Sequence, residues 1–171
     1  MALMMMLAAG RQVMLNRKTV ASGVWEKNIG HELIGKKVGI LGFGNIGMAL
    51  AKLLQGFDCE VLAYDTYRNE AAASDLNVRF ADLNEILTTC DAISVHLPYN
   101  KDTDHLIGAD VFNKMKPDSI LVCTARGKIV DEDALYEALV SHKIGGAGLD
   151  VYAVEPLPTD SKLIGLDNIV L

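Results

Sequence analysis

The stretch Val-Gly-Ile-Leu-Gly-Phe-Gly-Asn-Ile-Gly, residues 38–47, decides the fold class of this chain. Its first four residues form a short apolar run that is typical of a buried strand. Apolar residues then recur at helical spacing from Asn45 to Gln55, and a second apolar run follows at residues 60–64. A strand, a helix and a strand in this order predict a βαβ unit, which places the two strands side by side in a parallel sheet.

The same alternation continues to the end of the chain. Right-handed crossovers between such units favour a doubly wound α/β sheet of the Rossmann type. We predict that residues 35–171 form this domain and that residues 1–34 form a separate arm. Further strands are predicted at residues 78–80, 91–95, 119–123, 145–149 and 168–171, and helices after the capping residues Asp82 and Asp131 and at residues 109–114.

The first nine residues are apolar on every side, which predicts one helix with Arg11, Arg17 and Lys18 towards its end. A helix of this kind must be covered by protein. We expect the cover to come from another chain or from a segment outside this sequence, and we expect Trp25 to pack outside the predicted sheet. A bilayer span needs about 20 apolar residues, and no basic residues precede the run, so neither a membrane anchor nor a signal peptide is predicted.

Composition limits the classes of function. The 171 residues are 50% hydrophobic and 22% charged, values that fit a globular chain and exclude disorder. The net charge of −6 disfavours nucleic acid or an anionic membrane as the main partner. Cys59, Cys90 and Cys123 form no CxxC pair and lack metal-ligand spacing, so we predict no metal site and free thiols in a reducing compartment, the cytoplasm.

Three glycines, Gly42, Gly44 and Gly47, form a GxGxxG pattern between the first strand and its helix. In this setting the first allows a tight turn, the second lets the backbone approach a diphosphate, and the third lets helix and strand pack closely. Asn45 and Ile46 begin the helix, where free amide groups carry partial positive charge. The alternative is that the glycines serve only a tight turn and that Asp65 merely ends a strand, but the strand–turn–helix–strand–Asp order favours a cofactor site.

Asp65 stands 18 positions after Gly47, at the end of the second strand. A carboxylate there would accept hydrogen bonds from the hydroxyls of an adenosine ribose and would repel a 2′-phosphate. Two unit charges 4 Å apart repel by about 4 kcal/mol at an effective dielectric constant of ~20. We therefore predict NAD rather than NADP as cofactor, with Arg68 as the residue that could favour a 2′-phosphate instead.

Four later segments occur in an order typical of one family. They read Asp-Ala-Ile-Ser-Val-His-Leu-Pro (91–98), Thr-Asp-His-Leu-Ile-Gly (103–108), Cys-Thr-Ala-Arg-Gly-Lys-Ile-Val-Asp-Glu (123–132) and Gly-Leu-Asp-Val-Tyr-Ala-Val-Glu-Pro (148–156). Together with the glycine pattern they resemble the nucleotide-binding domain of the D-isomer-specific 2-hydroxyacid dehydrogenases, with phosphoglycerate dehydrogenase closest in character. The resemblance covers nearly the whole chain, but it does not specify the substrate.

The resemblance implies two catalytic residues. Arg126 matches the arginine that binds the substrate carboxylate, for which a planar fork of donors is well suited. Glu155 matches the glutamate that pairs with a catalytic histidine and raises its pKa. The plainer alternatives are a surface salt bridge for Arg126 and a solvated loop carboxylate for Glu155. The implied cofactor contacts from these later segments are His96, Pro98, Thr103, Thr124, Ala125, Arg126 and Asp150.

Some of these contacts have an equally simple structural explanation. His96 follows a predicted strand, where a histidine is often satisfied by its own loop. Asp150 matches a residue near the nicotinamide carboxamide, but a carboxylate that caps a strand end would fit the same position.

The resemblance also implies parts that this sequence does not contain. In the family the acid/base histidine follows the position of Glu155, whereas here no histidine occurs in the 16 residues after Glu155. The family's substrate domain is built largely from residues before the N-terminal helix. We therefore expect a fragment that is cut at both ends, binds NAD and lacks turnover, while the full-length parent acts on a 2-hydroxy or 2-keto acid. The arm, residues 1–34, is expected to form a homodimer.

Two other functions share this sheet. Some relatives, such as the C-terminal-binding corepressors, use it as an NAD-sensing dimerisation module without metabolic turnover. Arg126 and Glu155 favour enzyme ancestry but do not exclude a sensor, and turnover of keto acids by the full-length parent would distinguish the two. A malate-type dehydrogenase is disfavoured by the segment at residues 123–132.

Overall fold

The computed structural model describes all 171 residues, and its strands form a single seven-stranded sheet. Every neighbouring pair of strands runs parallel, in the order β3-β2-β1-β4-β5-β6-β7. The sheet therefore grows outward from β1 in both directions, and the predicted doubly wound α/β fold is confirmed. The strands are β1 (Lys37–Leu41), β2 (Glu60–Tyr64), β3 (Val78–Phe80), β4 (Ala92–Val95), β5 (Ile120–Cys123), β6 (Gly146–Leu149) and β7 (Ile169–Val170).

Seven α-helices surround the sheet. Two of them begin as the sequence predicts, because Asp82 accepts a hydrogen bond from the amide of Glu85 and Asp131 accepts one from the amide of Ala134. A helix at residues 70–75 was not predicted; its signal is Asn69, which accepts a hydrogen bond from the amide of Ala72. The helices are α1 (Ala2–Gly10), α2 (Val13–Ala21), α3 (Asn45–Leu54), α4 (Glu70–Asp75), α5 (Leu83–Thr89), α6 (Ala109–Lys114) and α7 (Glu132–Val140).

The hydrophobic core lies in two layers, one on each face of the sheet. Successive side chains of a strand point to opposite faces, so Ile40 of β1 joins a layer with α1 and α3, while Leu41 joins a layer with α5, α6 and α7. Because both faces are covered, the inner strands are largely apolar, as is typical of parallel sheets, with Ser94 of β4 as a buried polar residue.

The N-terminal region differs from the prediction in two respects. The predicted single helix is divided into α1 and α2 at Gln12, whose φ of 51° lies in the left-handed region. One face of α1 is covered by this chain's own sheet, whereas Met1 and Met4 remain exposed. Met5 and Met6 are buried, and a Cβ on Gly148 of β6 would lie 2.7 Å from the Cβ of Met5. The glycines of β6 therefore let α1 approach the sheet closely.

The residues between α1 and β1 lie mostly outside the hydrophobic core. Helix α2 buries none of its residues, and Trp25 is 87% exposed, so this side chain does not pack on the sheet. Its packing against something outside the sheet stays a prediction. None of the helices has the length and apolar character that a bilayer span requires.

Candidate functional site

Most of the predicted site residues lie at the carboxyl ends of β1, β4 and β5, while Asp65 follows β2 and Asp150 and Glu155 follow β6. Strand order reverses direction between β1 and β4, the position where open α/β sheets form a ligand crevice. A cleft of about 500 Å³ lies there. Its lining residues are Ile46, His96, Leu97, Pro98, Tyr99, Thr124, Ala125 and Arg126.

Two of the three motif glycines are required by packing. Gly42 has a φ of 98°, and a Cβ on it would lie 2.7 Å from the carbonyl carbon of His96 at the end of β4. A Cβ on Gly47 would lie 2.2 Å from the carbonyl oxygen of Gly42. The turn, the helix start and the end of β4 are therefore in main-chain contact.

The third glycine is not required by the protein's own packing. Gly44 has an ordinary extended conformation, with φ −84° and ψ −162°, and a Cβ on it would meet no atom within 4 Å. Any small side chain could occupy this position in the free protein. The open space beside Gly44 is therefore available to a ligand that touches the main chain.

The start of α3 offers unused hydrogen-bond donors next to this space. No side chain caps the helix, and the first amides, those of Asn45, Ile46 and Gly47, have no acceptor within the helix. Donors of this kind, with the partial positive charge of a helix start, suit a diphosphate. Together with the open space at Gly44, they fit the dinucleotide that the sequence predicts.

The carboxylate of Asp65 is fixed beside the glycine turn. Its two oxygens accept hydrogen bonds from the amide of Phe43, at 2.7 Å, and from the amide of Tyr67, at 3.0 Å. Each carboxylate oxygen has a second lone pair, so ribose hydroxyls can still bind. The guanidinium of Arg68 lies over the ring of Phe80, 5.6 Å from its centroid.

His96 contributes a neutral ring to the cleft. Its Nε2 lies 2.9 Å from the hydroxyl of Ser94, which is fully buried. Burial lowers the pKa of His96 to about 4, because desolvation disfavours the charged imidazolium. The histidine is therefore bonded within its own strand end, as the plainer alternative stated, and it also lines the cleft.

Arg126 is exposed directly after β5, at the rim of the cleft. Its guanidinium donates one hydrogen bond, at 2.6 Å, to the carbonyl of Ala125. None of the ion pairs in the structure includes Arg126. The surface salt bridge considered as its alternative role is absent, so its remaining donors are free to bind an external carboxylate.

Glu155 lies on the loop that follows β6, the neighbour of β5. It is exposed, and its Oε1 accepts a hydrogen bond from the amide of Tyr152 at 3.1 Å. Asp150, at the start of the same loop, is exposed too. Glu155 and Asp150 do not line the cleft itself but stand on the adjacent strand end.

Thr103 was predicted as a cofactor contact, but the structure places it outside the cleft. It is buried, and its hydroxyl donates to the carbonyl of Pro98 at 2.7 Å while accepting from the amide of Asn100 at 2.8 Å. The side chain thus shapes the loop under Pro98 and does not line the cleft. Tyr99 does line it and was not predicted; an aromatic residue directly after the Leu-Pro segment was its only sequence signal.

The glycines provide a matched pair of substitutions. Gly44→Ala should leave unfolding free energy within about 0.5 kcal/mol of wild type and weaken NAD binding roughly tenfold or more, because the methyl group takes the ligand's space. Gly47→Ala should cost about 1–3 kcal/mol of stability, since its Cβ collides with the Gly42 carbonyl. Urea unfolding and calorimetric titration with NAD measure both effects. Undiminished NAD affinity in Gly44→Ala would contradict the assignment of this space.

The buried ring of His96 predicts a pH dependence of stability. Between pH 6.5 and about 4 the unfolded state holds the proton more tightly than the folded state, so stability falls as the pH falls through this window. Over that range, wild type should lose on the order of 2–4 kcal/mol more than His96→Gln, which cannot titrate. Denaturant unfolding of both proteins from pH 7 to pH 4 measures the difference. Parallel curves would show that His96 titrates normally.

Comparison with known proteins identifies the family. The sequence model of one protein family, the D-isomer specific 2-hydroxyacid dehydrogenase, NAD binding domain, matches residues 3–171 of this chain. The chain is 43% identical to a hydroxypyruvate reductase of Thermotoga maritima and 42% identical to a D-3-phosphoglycerate dehydrogenase of Archaeoglobus fulgidus, over 99% of its own length in each case. It covers 56% of the first protein and 32% of the second.

A solved structure agrees with this assignment. The crystal structure of D-lactate dehydrogenase with NAD+ from Lactobacillus jensenii superposes with a TM-score of 0.91 at 33% identity, over 99% of this chain and 55% of that one. The chain thus spans about a third to a half of the length of these three relatives. It belongs to the D-isomer-specific 2-hydroxyacid dehydrogenases, as an NAD-binding domain of that family.

Proposed function

We propose that the whole protein transfers hydride between NAD and a small 2-hydroxy or 2-keto acid, and that this domain supplies the cofactor site and the carboxylate-binding arginine. The observation that carries the proposal is the unpaired guanidinium of Arg126 at the rim of the same cleft that the open glycine turn faces. An exposed arginine without an ion-pair partner, next to a dinucleotide site, suits a second anionic ligand.

Apart from Thr103, the predicted cofactor contacts each receive a role in this proposal. Asp65 accepts the ribose hydroxyls, while His96 and Pro98 line the adenosine side of the cleft. The main chain at Thr124 and Ala125 would contact the nicotinamide, and Asp150 would bind its carboxamide. When bound, NAD+ would accept and NADH would donate the hydride. The segment formed by Gly42, Gly44, Asn45, Ile46 and Gly47 would hold the diphosphate.

The substrate class follows from the arginine and from the relatives. Hydroxypyruvate, 3-phosphoglycerate and lactate, the compounds in the names of the three relatives, are all 2-hydroxy or 2-keto acids. Their shared carboxylate is what a bidentate guanidinium recognises. We propose that Arg126 binds this carboxylate and orients the neighbouring carbonyl carbon towards the nicotinamide.

Transfer of the hydroxyl proton requires an acid or base group. No histidine that could serve as this group occurs among the residues of this sequence that follow Glu155. In the proposal Glu155 pairs with a histidine that takes or gives the hydroxyl proton, and no histidine follows Glu155 in the sequence. A positioned acid or base contributes roughly 10²–10⁴-fold to the rate. A polypeptide of these residues alone should therefore bind both ligands without measurable turnover.

Arg126→Lys tests the proposal. NADH fluorescence titration should give a dissociation constant within about twofold of wild type, because the charge near the cofactor is kept. Oxamate, an unreactive 2-keto-acid isostere, should bind the NADH complex roughly tenfold or more weakly, since lysine lacks the planar fork. The matched control is Lys128→Arg, which alters an exposed basic residue on the same turn.

Two outcomes would contradict the proposal. Equal oxamate affinity in wild type and Arg126→Lys would remove Arg126 from the substrate site. NADH oxidation by these 171 residues with hydroxypyruvate, above the rate without protein, would show that the proton-transfer group lies elsewhere in the chain.

We also propose that the protein is a homodimer through residues 1–34 and works in the cytoplasm. The contact would use the exposed apolar side chains after α1, among them Val20, Val24, Trp25 and Ile29. Apolar groups exposed together in this way are typical of an interaction surface. The buried thiols of Cys90 and Cys123 fit a reducing compartment.

Light scattering tests the dimer. Wild type should give the mass of two chains at micromolar concentration. Trp25→Ser should shift the equilibrium towards one chain, because a large aromatic side chain that becomes buried in an interface contributes most to such contacts. Tyr67→Ser, which changes an aromatic residue that is 77% exposed and lies outside residues 1–34, is the control. A wild-type monomer at all concentrations would rule the dimer out.

A further inference from the structure

The loop after β6, residues 150–156, which we name the β6 loop, is held by a residue outside the predicted site. Oε1 of Glu132, in the first turn of α7, accepts a hydrogen bond from the amide of Ala153 at 2.6 Å. The preceding amide, that of Tyr152, donates to Glu155. Successive main-chain amides of the β6 loop thus bind two different glutamates.

The β6 loop is also in main-chain contact with the turn that carries Arg126. A Cβ on Gly127 would lie 1.9 Å from the carbonyl carbon of Tyr152 and 2.5 Å from the amide nitrogen of Ala153. Only a residue without a side chain fits at this contact. A hydrogen bond that holds Ala153 therefore holds the loop of Glu155 against the turn that directly follows Arg126.

Glu132 is well placed to act as a fixed support. Asp131 caps α7 by accepting a hydrogen bond from the amide of Ala134, so the helix start is ordered by its own contacts. No cation pairs with Glu132. Its carboxylate is engaged by the amide of Ala153, and a hydrogen bond to an ionised acceptor is about twice as strong as a neutral one.

The charge of Glu132 is electrostatically unfavourable here, because Asp150 and Glu155 already place two carboxylates near the phenol of Tyr152. Burial raises the pKa of Tyr152, and the negative charges of Asp150, Glu132 and Glu155 raise it further, so all three carboxylates act on one phenol. The charge of Glu132 thus adds repulsion close to Glu155. Its hydrogen bond to the β6 loop offsets this cost.

We propose that Glu132 is a positioning residue of the proposed active site. It touches neither substrate nor cofactor, and it acts by holding the β6 loop against Gly127, which fixes Glu155 and Arg126 relative to each other. The inference rests on the proposed function, because it is the binding of a keto acid by Arg126 that this support would improve.

Three variants of Glu132 separate the hydrogen bond from the charge. Glu132→Gln keeps an acceptor oxygen at the same reach and removes the charge. Glu132→Asp keeps the charge and shortens the side chain by one methylene, and Glu132→Ala removes both. Asp133→Ala is the matched control, because Asp133 is the adjacent exposed carboxylate and pairs only with Lys162, at 3.4 Å.

The experiment measures two quantities for each variant. Hydrogen exchange of the Ala153 amide should speed up roughly tenfold or more in Glu132→Ala and Glu132→Asp, and little in Glu132→Gln. Oxamate should bind the NADH complex of the Ala and Asp variants roughly three- to tenfold more weakly, with Glu132→Gln within about twofold of wild type. The control Asp133→Ala should match wild type both in its affinity for NADH alone and in its melting curve.

Two results with the Glu132 variants would overturn the inference. Oxamate affinity that is equal in all variants would show that the support does not reach Arg126. Loss in Glu132→Gln with full affinity in Glu132→Asp would make the charge, not the hydrogen bond, responsible. The Gln and Asp pair decides even if Glu132→Ala does not fold. A wild-type protein that fails to bind oxamate would instead refute the proposed function, since that comparison involves no Glu132 variant.

Discussion

The main-chain contact between the turn after β1 and the end of β4 is the constraint on which the site depends. Gly42 lies against His96, and Gly47 lies against the carbonyl of Gly42, with no room for a Cβ at either place. This contact directs the start of α3 towards the cleft and brings Asp65 within hydrogen-bonding distance of Phe43. A donor-lined turn with a fixed carboxylate beside it results from packing alone, before any ligand is bound.

A second main-chain contact repeats this arrangement on the other side of the cleft. Gly127 meets the β6 loop as Gly42 meets the end of β4, again at the carboxyl ends of neighbouring strands. The two sides of the candidate site are thus each built on one glycine that lets two strand ends come together. Side chains of the site project from these two supports, so their spacing is inherited from the register of the sheet.

Local patterns in the sequence were sufficient for the sheet and the glycine turn. Strand and helix periodicity lies in neighbouring residues, and the contacts of Gly42 and Gly47 follow from the motif that contains them. Contacts between distant segments were not accessible in this way. Neither the position of α1 on β6 nor the hydrogen bond from the amide of Ala153 to Glu132 leaves a periodic signal, because each depends on which elements become neighbours in space. The apolar surface of α1 was recognised, but the contact of its buried face with this chain's own sheet was not.

The seating of α1 on β6 also bears on how the chain is made. Met5 and its contact Gly148 are 143 positions apart, so α1 leaves a ribosome well before the strand on which it packs. At about 5–20 residues per second, that interval lasts roughly 7–30 s. During synthesis the methionine-rich surface has no sheet to rest on. Closure of so long a loop is the kind of step that slows folding.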